Sequence, residues 1–315
     1  VVAEADSLLA HKKTILRDTA ALNFAINTLD GPLGYIFAKQ DLAKAYYFMG
    51  RNFYYLNDFS TAADYYILCD RLNPKDPLYK GRVNSCMGYL CKQDSCFEEA
   101  LVFYERSSSA FKESGSEWYY AHNLLNIAEQ YVNMREYAKA DSVLDIAKGY
   151  KIDSAYFARM VDVRALALYN QQLYDSALVR FLRIKDTPRP IEARCYSYMK
   201  IMRCYEFLHQ LDNTIIYAEY IVSNSKNPAY RSNAYFYLMT NAKWHNDINS
   251  LSIYSHARED EDRKLQHDTE LCAQAIIKLQ TYLETTNYTK LIISIVAALF
   301  VVLSTGIWLV YKCYR

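Results

Sequence analysis

The chain has 315 residues, enough for two ordinary domains or one elongated repeat array, yet only 8 are Gly and 6 are Pro. So few turn formers and strand breakers point to an all-helical protein, and 31 Tyr supply rings whose faces pack while their hydroxyls reach water or a partner. Lys plus Arg, 36, nearly cancels Asp plus Glu, 35, so no global field exists to recruit nucleic acid.

The chain opens on Val-Val-Ala-Glu rather than Met, as a mature terminus or a fragment would. Residues 1–42 read as one or two N-terminal capping helices, the first starting at Asp6 or Ser7, the second running from about Asp18 to a break at Asp30-Gly31-Pro32.

From Ala43 the chain repeats itself. Tyr46, Met49, Gly50, Phe53, Phe59, Ala62, Tyr66 and Pro74 form the first unit, and units of the same kind start at Gly81, Ala121, Ala158 and, more weakly, Cys195. The small anchors Ala62, Ala100, Ala140, Ala177 and Thr214 lie 38, 40, 37 and 37 residues apart. A small residue lets two antiparallel helices approach closely, and the flanking aromatics fill the space to the next pair. A degenerate sixth pair covers Tyr230 to Ala257. This pattern resembles the tetratricopeptide motif of about 34 residues, with slightly longer loops. The resemblance implies a tetratricopeptide α-solenoid over 43–257, a right-handed superhelix of five to six helix pairs.

Residues 258–290 leave the repeat. Arg258 to Lys264 is a mixed charge run, and Leu265, Cys272, Ile276, Leu279 and Leu283 then form a short heptad-like stripe. This connecting segment reads as a homodimer seam through 265–283 or as a last helix capping the solenoid. Leu291–Val310 is a run of twenty residues without a charge, about 30 Å of helix, bracketed by Lys290 and Lys312 with Tyr288, Trp308, Tyr311 and Tyr314 at interfacial depth. It is expected to be a single transmembrane helix over 291–311, with a short basic tail at 312–315. Lys312 and Arg315 lean toward a cytoplasmic C-terminus, against Lys278 and Lys290.

Asp6-Ser7-Leu8-Leu9, the repeats at Ala43–Gly50 and Asn52–Ala62, and the single span together resemble the membrane-anchored envelope tetratricopeptide proteins of Bacteroidetes-type bacteria. That resemblance implies a periplasmic solenoid, and in that family a helix-turn-helix or kinase module often follows the span. This sequence departs there, since five residues follow Val310.

In such a solenoid the first helix of each pair lines the concave face. Lys44, Tyr47, Arg51 and Tyr54 of the first repeat, with Arg82, Ser85, Tyr89 and Lys92 of the second, are expected to form a basic, aromatic groove for an acidic peptide. The alternative is a solvated helix face. His122, Leu125 and Glu129, then Arg159, Asp162 and Tyr169, continue it as a mixed surface. The two-carboxylate clamp of some chaperone-binding relatives does not carry over, because Tyr47 and Arg51 stand in its positions.

No catalytic chemistry is expected. The six His are dispersed, and no HExxH pair, GxSxG elbow, phosphate loop, dinucleotide fingerprint or zinc quartet occurs. The Cys read as small buried hydrophobes, with a Cys91–Cys96 bridge as the alternative, and no cofactor or metal is expected. The expectation is therefore a non-enzymatic, membrane-anchored protein- or peptide-binding scaffold outside the cytoplasm, with the sensory half of a signalling protein as one such role. The alternatives are a transmembrane regulator with its output domain elsewhere and a tail-anchored cytosolic adaptor.

Overall fold

A computed structural model describes residues 19–20, 22–23, 26–27, 38–93, 95–150 and 152–313, with side chains described as far as Ala297. The expected capping helices lie mostly outside the described residues, although Ile26 is buried with the first helix pair and Asn52 Nδ2 donates to Thr19 Oγ1 at 3.3 Å.

The described chain is helical throughout its regular structure and forms antiparallel pairs: α1 (Lys39–Tyr55) with α2 (Phe59–Arg71), α3 (Pro77–Gln93) with α4 (Phe97–Glu113), and α5 (Glu117–Asn133) with α6 (Tyr137–Ala147). Then follow α7 (Ser154–Asn170) with α8 (Tyr174–Ile184), and α9 (Ile191–Phe207) with α10 (Ile215–Asn224), the latter entered through a 3-10 turn at Leu211–Thr214. Last come α11 (Pro228–Trp244) and α12 (Ile248–Cys313). The first helix of every pair has 17 residues.

Each pair is joined by one turn geometry made without glycine. Asn57, Ser95, Arg135, Gln172, His209 and Asn246, each two residues beyond a first helix, adopt φ between 53° and 65°. The next amide closes the turn five residues back: Asp58 N to Phe53 O at 3.0 Å, Cys96 N to Cys91 O at 3.1 Å, Glu136 N to Tyr131 O at 2.8 Å, and likewise in the other three. This is the left-handed helix stop that usually takes Gly. Here most sites carry polar side chains, at a local cost of about 1 kcal/mol or more each, which the packing of the two helices offsets. Cys91 and Cys96 flank one such turn, and no disulfide joins them.

Within the pairs a size rule operates. The inward position of the first helix and the residue sixteen further on in the second are Gly50 with Tyr66, Gly88 with Tyr104, Ala128 with Leu144, Ala165 with Phe181, and Met202 with Ala218. All are buried. Where the first partner shrinks to hydrogen the second is a tyrosine; where the first is methionine the second is alanine. Close packing at near-constant volume requires this exchange. A Cβ placed on Gly50 would lie 2.5 Å from the Tyr66 ring, and one on Gly88 would lie 2.9 Å from that of Tyr104.

No break separates the sixth pair from the connecting segment. Residues 248–313 contain no Pro and a single Gly, Gly306, so nothing stops the helix, and α12 runs for 66 residues, about 100 Å. It first packs along α11, where Arg231 Nε meets Glu261 Oε1 at 3.0 Å and Ser232 donates to Asp262. It then leaves that pair and docks on the first, alongside α2 and α3.

Lys278 Nζ meets Asp64 Oδ2 at 2.5 Å and the Ser60 carbonyl at 3.1 Å, Gln280 donates to Glu99 at 2.7 Å, and the Tyr282 hydroxyl donates to Asp70 at 2.6 Å. Cys272, Ala275, Leu279, Tyr282 and Leu283 are buried there with the core of the first two pairs, and Ile276 on the same helix is buried as well. The heptad-like stripe, expected as a homodimer seam or as a last helix capping the solenoid, packs against α2 and α3 of its own chain. The result is a closed circuit, in which α12 links the last pair back to the first.

Among the described residues no helix is long and apolar enough to cross a membrane. The side chains of 298–313, most of the uncharged stretch expected to span one, lie outside the described residues; Leu291, Ile292, Ile293, Ile295 and Val296 are exposed.

Candidate functional site: the inner cavity

The first helices of pairs two to six turn one face toward a common interior, which holds a cavity of about 720 Å³. Its walls carry Tyr89 and Lys92 of α3; Trp118, His122, Asn126 and Glu129 of α5; Arg159 and Asp162 of α7; Tyr196 of α9; and Tyr230 of α11. Arg189 and Glu192 close it from the loop and first turn before α9. His122, Arg159 and Tyr196 are separated by 37 residues each, one register position carried across the third, fourth and fifth pairs.

The cavity's charges are mutually satisfied. Glu129 takes Lys92 Nζ at 2.7 Å on one oxygen and Arg159 Nη2 at 3.7 Å on the other, and Arg159 also donates to Asn126. Burial alone would raise the Glu129 carboxyl, but Lys92 and Arg159 reverse that and hold it below the ordinary range. Asp162 takes Arg189 Nη1 at 2.5 Å and the Ser197 hydroxyl at 2.5 Å. There burial wins, and the carboxyl is pushed up to about 6 despite Arg189. Glu192 accepts from Ser225 Oγ at 2.7 Å and from the Lys226 amide at 2.6 Å. His122 lies between the rings of Trp118, at 4.1 Å, and Tyr156, at 5.2 Å. Burial, then Arg159, lowers it to about 4, so it is neutral at physiological pH, and its Nε2 is buried without a partner.

Of the eight groove residues expected from sequence, Tyr89 and Lys92 line this cavity, and Lys44, Tyr47, Arg51, Tyr54, Arg82 and Ser85 do not. Tyr47 is 4% exposed, edge-on to Tyr79 at 5.6 Å, and burial pushes its phenol up. It is a core residue, because the contact between first and second pairs covers that side of α1. Arg51 lies over the Tyr47 and Tyr55 rings at 5.9 and 5.4 Å and donates to the Tyr55 hydroxyl at 2.8 Å. Arg82 lies over Tyr119 at 4.7 Å and donates to its hydroxyl, Lys44 lies 5.6 Å from the Tyr79 centroid, and Tyr54 meets Tyr89 edge-on at 5.7 Å.

The expected basic groove is therefore two features. One is a ladder of cations on rings across α1 to α5, and the other is a cavity of paired charges and aromatic rings deeper in the array. Leu125, expected on the inner surface, is fully buried in the core of its pair. Trp118, Arg189, Glu192, Tyr196 and Tyr230 were not legible as site residues; extending the register of Arg159 forward by 37 finds Tyr196.

No family model matches the chain, and no curated protein matches it. Among solved structures, the crystal structure of BtubC (BKLC) from P. vanneervenii is similar at 16% identity over 65% of this chain and 88% of that one, with a TM-score of 0.46. At that level the likeness carries no argument about this chain.

Proposed function

We propose that the chain is a non-enzymatic, tetratricopeptide-type binding scaffold. It receives a protein or peptide segment in the inner cavity and is held at a membrane by the end of α12. The observation that carries the reading is that five successive first helices aim corresponding faces, rich in aromatic rings and paired charges, into one interior. Rings stack on peptide planes and apolar side chains, and the polar groups supply hydrogen bonds that fix register. The twenty uncharged residues Leu291–Val310 support the anchor. The resemblance to envelope tetratricopeptide proteins favours a periplasmic solenoid with the C-terminus in the cytoplasm. A sensory role draws support from α12, which touches both ends of the array and leads straight into that apolar stretch.

Selection of dodecapeptides displayed on phage against the full chain in nanodiscs tests the binding reading. A set of sequences should enrich, and their binding should weaken by about tenfold for Trp118→Ala or Tyr196→Ala while Val179→Ala, on the exposed outer surface, leaves it unchanged. Absence of enrichment, or equal losses for inner and outer variants, contradicts it. The anchor fails if alkaline carbonate strips the intact chain from its native membrane.

A further inference from the structure

We infer that the ligand of the inner cavity carries a carboxylate, and that Lys200 is the group that receives it. This deepens the proposed peptide-binding role and rests on it. The argument begins from a charge census of the inner surface. Lys92, Arg159 and Arg189 each meet a carboxylate within 4 Å, at 2.7, 3.7 and 2.5 Å, and Arg203 meets Glu206 at 3.8 Å. Lys200 lies one turn along α9 from Tyr196, which lines the cavity, and among the described residues it has neither an ion pair nor a hydrogen bond.

What surrounds the ammonium is aromatic. Its Nζ lies 5.0 Å from the centroid of Tyr169 and 5.6 Å from that of Tyr196, and Tyr230 stands 6.5 Å beyond Tyr196. Ring faces attract a cation but offer no lone pairs, so the three N–H donors of the ammonium remain to be filled. Both oxygens of Glu129, Asp162 and Glu192 are already engaged, and Asp153 Oδ1 accepts from the Tyr156 amide at the start of α7. Burial and the neighbouring Arg203 both oppose the Lys200 charge and lower its pKa, although Glu129 partly counters them. An incoming carboxylate reverses each of these penalties at once: it supplies acceptors, neutralises the ammonium and offsets Arg203.

Lys200 offers one unpaired ammonium to one negative charge. A phosphate, with nearly two charges, would meet that single lysine beside the four carboxylates that line the cavity, Glu129, Asp153, Asp162 and Glu192. The chemistry named is thus a carboxylate on a polypeptide, either an Asp or Glu side chain or the chain's C-terminus.

The test uses peptides enriched on the full chain in nanodiscs, resynthesised in three forms: as selected, with Asp and Glu changed to Asn and Gln, and with an amidated C-terminus. The expected result is that one of the two neutralised forms binds at least tenfold more weakly to the unaltered chain; which one identifies the source of the carboxylate. Lys200→Met should weaken the selected peptide to the same extent and abolish the difference between the forms, whereas Lys200→Arg should retain it. The peptide-side comparison needs no variant to fold, and thermal melting of both variants checks that they do. Peptides that bind equally well in all three forms, or equally to Lys200→Met, overturn this inference and leave the binding scaffold standing. Failure of any peptide to enrich overturns both.

Discussion

Gly50→Ala lowers stability by about 1–2 kcal/mol, and adding Tyr66→Leu costs much less in that background than in the unaltered chain. The new methyl would lie 2.5 Å from a ring that is 1% exposed and has no room to swing aside. Overpacking of this kind costs about 1–3 kcal/mol. Removing a helical glycine recovers up to about 1 kcal/mol of propensity, so the steric term wins. Tyr66→Leu alone leaves a void and is also destabilising, by about 2 kcal/mol or more.

The two together recreate the Ala128 and Leu144 combination that the third pair already uses. Their losses should therefore fall short of additive by about 1 kcal/mol or more, read from urea melts of the four chains. Strictly additive losses would show that the exchange of size between paired positions is coincidental. Among helix pairs of ordinary sequence, this compensation is what keeps the spacing regular enough for five inner faces to meet.

Leu279→Asp should release α12 from the first two pairs without unfolding the array. Leu279 is fully buried, in contact with the core that α1 to α4 share. A carboxylate there has no designed partner and costs about 3 kcal/mol or more, while undocking the segment exposes it to water. Such a local opening is the cheaper escape, because the docked segment lies within a continuous helix whose start remains held by α11. Amides over 265–290 should exchange about a hundredfold faster, since 1.4 kcal/mol is a factor of ten. Tryptic cleavage at Lys278 should appear, and protection over α5 to α9 should not change. Unaltered exchange in 265–290 would mean that the docking contributes nothing. Release would also loosen the circuit that brings Tyr89 and Tyr230 to the same cavity, so peptide binding should weaken with it.

The helix pairs were legible in the sequence because the small anchors and aromatics recur at near-constant spacing, which only stacked neighbours can exploit. The turns between helices were harder to place. Their left-handed residues are Asn57, Ser95, Arg135, Gln172, His209 and Asn246, which carry none of the glycine punctuation that marks such positions. The inner surface was legible in part. Lys92, Glu129, Arg159 and Asp162 follow from helical spacing, but Tyr47 and Leu125 share that spacing and are core. A 3.6-residue period fixes which side of a helix is apolar and does not say how far the next pair overlaps its edge.

Lys200 belongs to the weakest repeat, where Met202 and Thr214 stand in for the usual small residues, and its isolation from acids is a property of three dimensions alone. The same holds for α12. A stripe of Cys272, Ile276, Leu279 and Leu283 specifies an apolar partner, and either another chain or a distant part of this one satisfies it equally well.

The closed circuit is the claim on which the cavity, and with it the proposed binding and membrane coupling, depend, and a zero-length cross-link tests it most directly. Lys278 Nζ and Asp64 Oδ2 lie 2.5 Å apart although 214 residues separate them. Carbodiimide treatment of a mixture of isotope-labelled and unlabelled chains should give an amide between these two residues, joined within single chains and lost in Leu279→Asp. A product found only in mixed-label form, or no product at Lys278, would mean that α12 docks on another molecule or not at all, and the circuit would be open.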